Sequence, residues 1–243
     1  MGSVTALVSG KGGTGKTTLC AAIASCMAAE GKRVLCLDLD VGLRNLDLLL
    51  GMGSVPVLPF SEVALGHAPL SAAAPHPEIP GLFLLTAPMR PPEAGQELLE
   101  PLLSEARGCF DEIFLDAPAG LGALFRLAVR SADRVLLVAA ADPASLRDAA
   151  QTAQLLELQG TREAYLLVNR VRRGYFRSAG LTVDDIMDSV GLPLGGLVPE
   201  DRLVPLAAAH ESPLVLYERR GAAAACLRIS RRLSGRRVPL AIT

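Results

Sequence analysis

The octapeptide Gly10-Lys11-Gly12-Gly13-Thr14-Gly15-Lys16-Thr17 constrains this chain more than any other stretch. It fits the pattern G-x-x-x-x-G-K-[ST] and lies between an apolar run and a helical pattern. Its glycines let the backbone close around a polyphosphate, with N–H groups turned inward, and the helix that follows adds partial positive charge at its N-terminus. Lys16 supplies a compact charge for β- and γ-phosphates, and Thr17 offers a hydroxyl to magnesium. The loop therefore demands a strand before it, a helix after it and a nucleotide triphosphate, ATP with magnesium, as its ligand.

The rest of the chain repeats that unit. Apolar runs at Thr5–Ser9, Arg33–Leu39, Leu82–Thr86, Glu112–Asp116, Arg134–Ala139, Tyr165–Asn169 and Leu194–Val198 read as strands. Helical patterns fall near Lys16–Ala29, Gly95–Arg107, Gly122–Ser131, Pro143–Gln159, Thr182–Ser189 and Asp201–Ala209, with a last helix from about Ala222 to Ser234. Alternation of this kind, with strands apolar throughout, predicts an α/β fold with a doubly wound, mostly parallel sheet covered on both faces. Half of the residues are hydrophobic and a fifth charged, enough for one large core, so residues 1–243 are expected to form a single domain. The Pro- and Gly-rich stretch 52–81 is expected as an irregular surface excursion.

Composition excludes several classes of function. A net charge of −1 gives no basic field to draw the chain onto nucleic acid. No apolar run reaches the 18 residues of a membrane span, and the N-terminus lacks the basic segment of a signal peptide. The five cysteines show no CxxC or metal-ligand spacing, so they are expected in the core of a cytoplasmic, reduced protein.

Rare residues carry information. Only three of the 24 basic residues are lysines, and two of them, Lys11 and Lys16, sit in the loop. A second ammonium beside the phosphate loop suits another phosphate, including one held by a second subunit. Asn45 and Asn169 are the only asparagines. Asn169 ends an apolar strand, where its amide can donate to and accept from a base edge.

Taken together, Gly-Lys-Gly-Gly-Thr-Gly-Lys-Thr-Thr (residues 10 to 18, ending at Thr18) resembles the deviant Walker A motif of the MinD/ParA ATPases. The stretch Asp38-Leu39-Asp40-Val41-Gly42-Leu43-Arg44-Asn45-Leu46-Asp47 is similar to the MinD branch in particular. The likeness continues through Asp116-Ala117-Pro118-Ala119-Gly120, Ser145-Leu146-Arg147-Asp148, Leu167 to Arg172 and Gly196 to Asp201. It is weakest from Gly51 to Gly81.

The resemblance implies a P-loop ATPase that dimerises with ATP and hydrolyses it slowly. Lys11 would cross the dimer interface, and Asp40 would orient the attacking water. Asp38 and Asp116 would support magnesium. Asn169, Arg170, Pro199 and Asp201 would hold adenine. Arg44, Asn45, Arg147 and Asp148 would meet partners, among them a MinC-like inhibitor and a MinE- or DivIVA-linked regulator. Two other roles within the family are a DNA-coating partition ATPase and a flagellar-number regulator. The charge and the Gly-Leu-Arg-Asn-Leu-Asp block weigh against the first. An iron–sulfur carrier would need paired cysteines.

The C-terminal region departs from the MinD pattern. Cys226, Ile229 and Leu233 share one face of the last helix, which predicts docking on the core. The short segment from Arg236 to Thr243 contains a proline and is not expected to form a lipid-inserting helix. Arg228, Arg231, Arg232, Arg236 and Arg237 leave peripheral contact with the inner face of an anionic membrane open, whereas direct insertion is not expected. The basic, aromatic segment Arg170 to Arg177 is expected as a surface loop beside the nucleotide.

Overall fold

A computed structural model describes residues 1–42, 44–89 and 99–240. Leu43, residues 95–98 of the helix expected from Gly95, and the terminal residues 241–243 lie outside the described residues. Eight strands form one sheet in the order β3-β4-β2-β5-β1-β6-β7-β8. They are β1 (Ser3–Val8), β2 (Val34–Asp38), β3 (Ala74–Pro75), β4 (Leu82–Leu85), β5 (Glu112–Asp116), β6 (Arg134–Ala140), β7 (Ala164–Val171) and β8 (Leu194–Pro199). All neighbouring pairs are parallel except β3 with β4.

The helices are α1 (Lys16–Ala29), α2 (Leu46–Leu49), α3 (Phe60–Ala64), α4 (Leu99–Cys109), α5 (Ala123–Ser131), α6 (Pro143–Leu158), α7 (Tyr175–Ala179), α8 (Val183–Val190), α9 (Leu203–Ala209), α10 (Leu214–Tyr217) and α11 (Gly221–Leu233). The strands are apolar on both faces because both are covered. Along β1, Val4, Ala6 and Val8 enter one core with α4, α5, α6 and α8, while Leu7 enters a second with α1 and α11. Helix α1 is apolar all round, and its residues from Leu19 to Ala28 are buried because it is sandwiched between the sheet and α11. Cys226 and Ile229 of α11 are buried against it, as their shared face predicts.

Three expectations are corrected. The stretch 52–81 is not a surface excursion: α3, a 3₁₀ turn at Leu70–Ala72 and β3 lie within it, and Met52, Phe60, Leu70 and Ile79 are core residues. Pro59 and Pro69 stand immediately before α3 and the 3₁₀ turn, and Pro75, the last residue of β3, is tolerated because β3 is an edge strand. Cys109, at the end of α4, is exposed, while the other four cysteines are buried. The segment after Arg170 contains the short helix α7, whose Tyr175 and Phe176 rings meet edge to face at 5.6 Å and pack against the core.

Parallel strands bring their carboxyl ends to one edge. The chain leaves β1 toward β2 on one side and β6 toward β7 on the other, so a crevice opens there, where α/β sheets bind ligands.

Candidate functional site

The crevice is floored by the loop between β1 and α1. Gly13 and Gly15 have φ of 81° and 87°, a left-handed backbone that a side chain would strain. Gly10 is fixed differently: a Cβ there would lie 2.6 Å from Thr152 Oγ1 and 3.0 Å from the Asp148 carbonyl, both on α6. The loop borders a cavity of about 620 Å³ lined by Gly12 to Thr18, Asp40, Asn45, Ala119, Arg170 and Glu211. A second cavity of about 760 Å³ adjoins it and is lined by Asn169, Arg170, Pro199 and Asp201. Gly15, Thr18, Leu49, Arg170 and Ala208 line both. A phosphate chain and a base therefore have contiguous room.

The charged groups behind the loop are buried. Lys16 Nζ donates to Asp116 Oδ1 at 2.5 Å and lies 3.4 Å from Thr17 Oγ1. Asp116 is fully buried, and desolvation pushes its carboxyl above the usual range despite the opposing Lys16 charge. Asp38 stands beside it in register and is pushed up to about 6, first by burial and then by the Asp116 charge. Asp38 Oδ1 accepts from the Asp40 N–H at 2.8 Å, and Oδ2 accepts from the Leu46 N–H at 3.3 Å. Its two oxygens thus hold Asp40 and the start of α2, which sets where Asp40 meets the cavity. Thr14 Oγ1 and Asp116 Oδ2 are buried without a hydrogen-bond partner. Such orphaned oxygens, beside an ammonium and a glycine cradle, fit a magnesium ion that keeps most of its waters and takes its other ligands from phosphate.

The remaining expected residues divide. Asn169 Nδ2 donates to the Thr14 carbonyl at 2.9 Å, and Arg170 N–H donates to Asn169 Oδ1 at 2.9 Å. Pro199 lines the base-sized cavity. Asp201 also lines it, but Oδ1 accepts from Leu203 N–H and Oδ2 from Ala222 N–H, so this carboxylate is committed to starting α9 and α11. Lys11 lies off the cavity lining, with Nζ 3.7 Å from Asp148 and 3.8 Å from Asp142. Arg147 is exposed on α6. Arg44, expected at a partner surface, is turned inward: Nε donates to Thr86 Oγ1 at 2.9 Å, and Nη2 lies 3.7 Å from Asp47. Asn45 is exposed and borders the phosphate cavity.

Two residues at the site were not anticipated. Asp142 caps α6 by accepting from Ser145 N–H and meets Lys11; the pair Asp142-Pro143 is a helix-start signal that pointed to it. Glu211, in the turn between α9 and α10, has no such signal. Among the described residues, the non-glycine positions with positive φ are Arg44, Arg170 and Glu211. Arg170 and Glu211 line the phosphate cavity and Arg44 precedes Asn45 at its rim, a clustering of backbone strain typical of functional sites.

A family model described as the CobQ/CobB/MinD/ParA nucleotide binding domain matches residues 5–214. The chain belongs to the MinD/ParA family. It is 34% identical over 244 residues to the septum site-determining protein MinD of a Synechocystis strain, covering 98% of this chain and 92% of that protein. It superimposes on MinD in the MinC:MinD cell division complex of Aquifex aeolicus with a TM-score of 0.91 at 34% identity, covering 99% of this chain and 98% of that one. The MinD of Pyrococcus horikoshii, solved with Mg-ADP, aligns with a TM-score of 0.79 at 25% identity over 96% of each chain. The chain is thus a MinD-like P-loop ATPase with a nucleotide-binding domain.

Proposed function

We propose that this MinD-like ATPase is a switch for placing the division septum, in which ATP closes two copies into a dimer and slow hydrolysis opens it. The observation that carries the two-subunit reading is Lys11. Its side chain is 38% exposed and lies outside its own phosphate cavity, where a second copy can receive it.

Within each site the roles follow from position. Lys16 would exchange Asp116 for the β- and γ-phosphates, and the Thr17 hydroxyl would be available to a cation held with them. Magnesium, when bound there, neutralises phosphate charge. Asp40, set by the Asp38 carboxylate, borders the cavity and orients the attacking water. A base would lie against Arg170 and Pro199, next to Asn169 at the end of β7, while Asp201 holds the loop that frames it. We assign the exposed side of α6 around Arg147 and Asp148 to a MinC-like inhibitor or a MinE- or DivIVA-linked regulator. Asn45 joins the dimer face.

Direct lipid binding by the basic end of α11 is weak on this reading, because three of its five arginines are engaged. Arg231 and Arg236 reach Glu30 at 2.7 and 3.5 Å, and Arg232 donates to the carbonyls of Gly195, Val238 and Pro239. The chain acts at the cytoplasmic face, with partners bringing it to membrane.

Light scattering of the wild type, Asp40→Ala and Lys11→Ala with MgATP, each with and without anionic liposomes, tests this. Asp40→Ala is expected to accumulate as a dimer and Lys11→Ala to stay monomeric. The switch reading fails if neither wild type nor Asp40→Ala dimerises with ATP, and the α11 argument fails if wild type alone binds liposomes tightly.

A further inference from the structure

Asn169 ends β7 at the boundary between the two cavities, where its amide is expected to read the base. The structure gives that amide different work. Its Nδ2 crosses 155 positions of sequence to donate to the Thr14 carbonyl at 2.9 Å, and its Oδ1 accepts from Arg170 N–H at 2.9 Å. The side chain is 7% exposed, so neither bond is readily replaced by water. The contact with the loop is close: a Cβ on Gly15 would sit 2.3 Å from Asn169 Nδ2. Gly15 therefore needs to lack a side chain both for its left-handed φ and to admit this amide.

A loop that binds phosphate through its N–H groups must hold its peptide planes in one orientation before the ligand arrives. The Thr14 carbonyl belongs to the peptide that carries the Gly15 N–H. Fixing the carbonyl oxygen on Asn169 turns that N–H away from Asn169. On the other side, the Oδ1 bond steadies Arg170 in its left-handed conformation, with φ of 55°, where it lines both cavities.

We propose that Asn169 is a positioning residue for the phosphate loop: its amide fixes the Thr14–Gly15 peptide, and through Arg170 it ties that peptide to the base side of the site. This rests on reading Gly10–Thr17 as the phosphate loop. It differs from a base contact in one consequence, which is that the effect exists without any base.

The test uses the full chain with Asn169→Ala and with Asn169→Asp, whose carboxylate would face the Thr14 carbonyl and repel it. Amide hydrogen exchange is followed in the ligand-free proteins, and binding of MgATP and of magnesium tripolyphosphate, which has no base, is measured by calorimetry. Exchange at residues 12–16 is expected to quicken about tenfold, the scale of one lost buried hydrogen bond, with β1 and β6 unchanged. Affinity for both ligands is expected to fall by a similar factor. The proposal is overturned if loop exchange is unchanged and only ATP binding weakens, or if exchange rises across the whole sheet. A wild type that binds neither ligand would sink the nucleotide reading, while the exchange comparison would still decide the role of Asn169.

Discussion

Lys16 and Asp116 face each other at 2.5 Å where both are almost wholly buried, so each is tolerable only with the other. Replacing Lys16 with methionine leaves a buried carboxylate alone. We expect loss of nucleotide binding and, in the ligand-free protein, a loss of roughly 3 kcal/mol near neutral pH. The cost has a pH signature. Burial already raises the Asp116 carboxyl, and removing the opposing Lys16 charge raises it further. A raised carboxyl favours the folded state below its unfolded pKa, and that contribution is lost as pH rises through the folded value. Denaturant unfolding of wild type and Lys16→Met should therefore show a smaller difference at pH 5.5 than at pH 7.5; equal differences would mean the pair is not coupled. Both residues were legible in sequence, one from the loop pattern and one from ending an apolar strand. Their partnership spans 100 positions and needed the register of β1 beside β5 to appear.

The elements between β2 and β4 were the least legible, and His76 shows why. Its ring is buried, with Nε2 2.7 Å from the Leu50 carbonyl, while Nδ1 accepts from the N–H groups of Glu78 and Ile79 at 3.0 Å. One imidazole thus ties the turn after β3 to the end of α2, whose Leu48 and Leu49 line the phosphate cavity. Elements of two to five residues have no period to read, and a single side chain holds them by contacts that run through tertiary space. Burial lowers the His76 pKa, outweighing the Leu50 carbonyl and Glu78, which favour protonation. Only the neutral ring can accept at Nδ1. A histidine lowered on folding contributes stability that is present above its unfolded pKa of about 6.5 and lost as pH falls below it. His76→Asn keeps an acceptor for the two N–H groups and does not titrate. Between pH 7.5 and 5.5, wild type should lose about 1 kcal/mol relative to the variant; parallel stability curves would remove His76 as the cause.

At the scale of the molecule, the doubly wound sheet was legible because its strands are apolar on both faces and alternate with helices, a pattern few other architectures satisfy. What sequence left open was which helix covers which face. The four buried cysteines answer that chemically. Cys20 and Cys26 on α1, Cys36 on β2 and Cys226 on α11 all lie in the core between the sheet and α11. Burial raises each thiol, Cys26 to about 12, so none forms the reactive thiolate while folded. Cys109 is exposed on the other side, at the end of α4. A thiol reagent at pH 8 should therefore label one cysteine quickly in the native protein and five in denaturant. We further expect the slow four to react at one common rate, because α1, α11 and the sheet bury them in a single cluster that must open together. Bound MgATP should slow that rate in proportion to its occupancy, since ligand binding stabilises the closed form. Two fast thiols in the native protein would contradict the packing of α1. Distinct slow rates for Cys226 and Cys36 would show that α11 leaves the sheet on its own, and that residues 1–243 do not unfold as one unit.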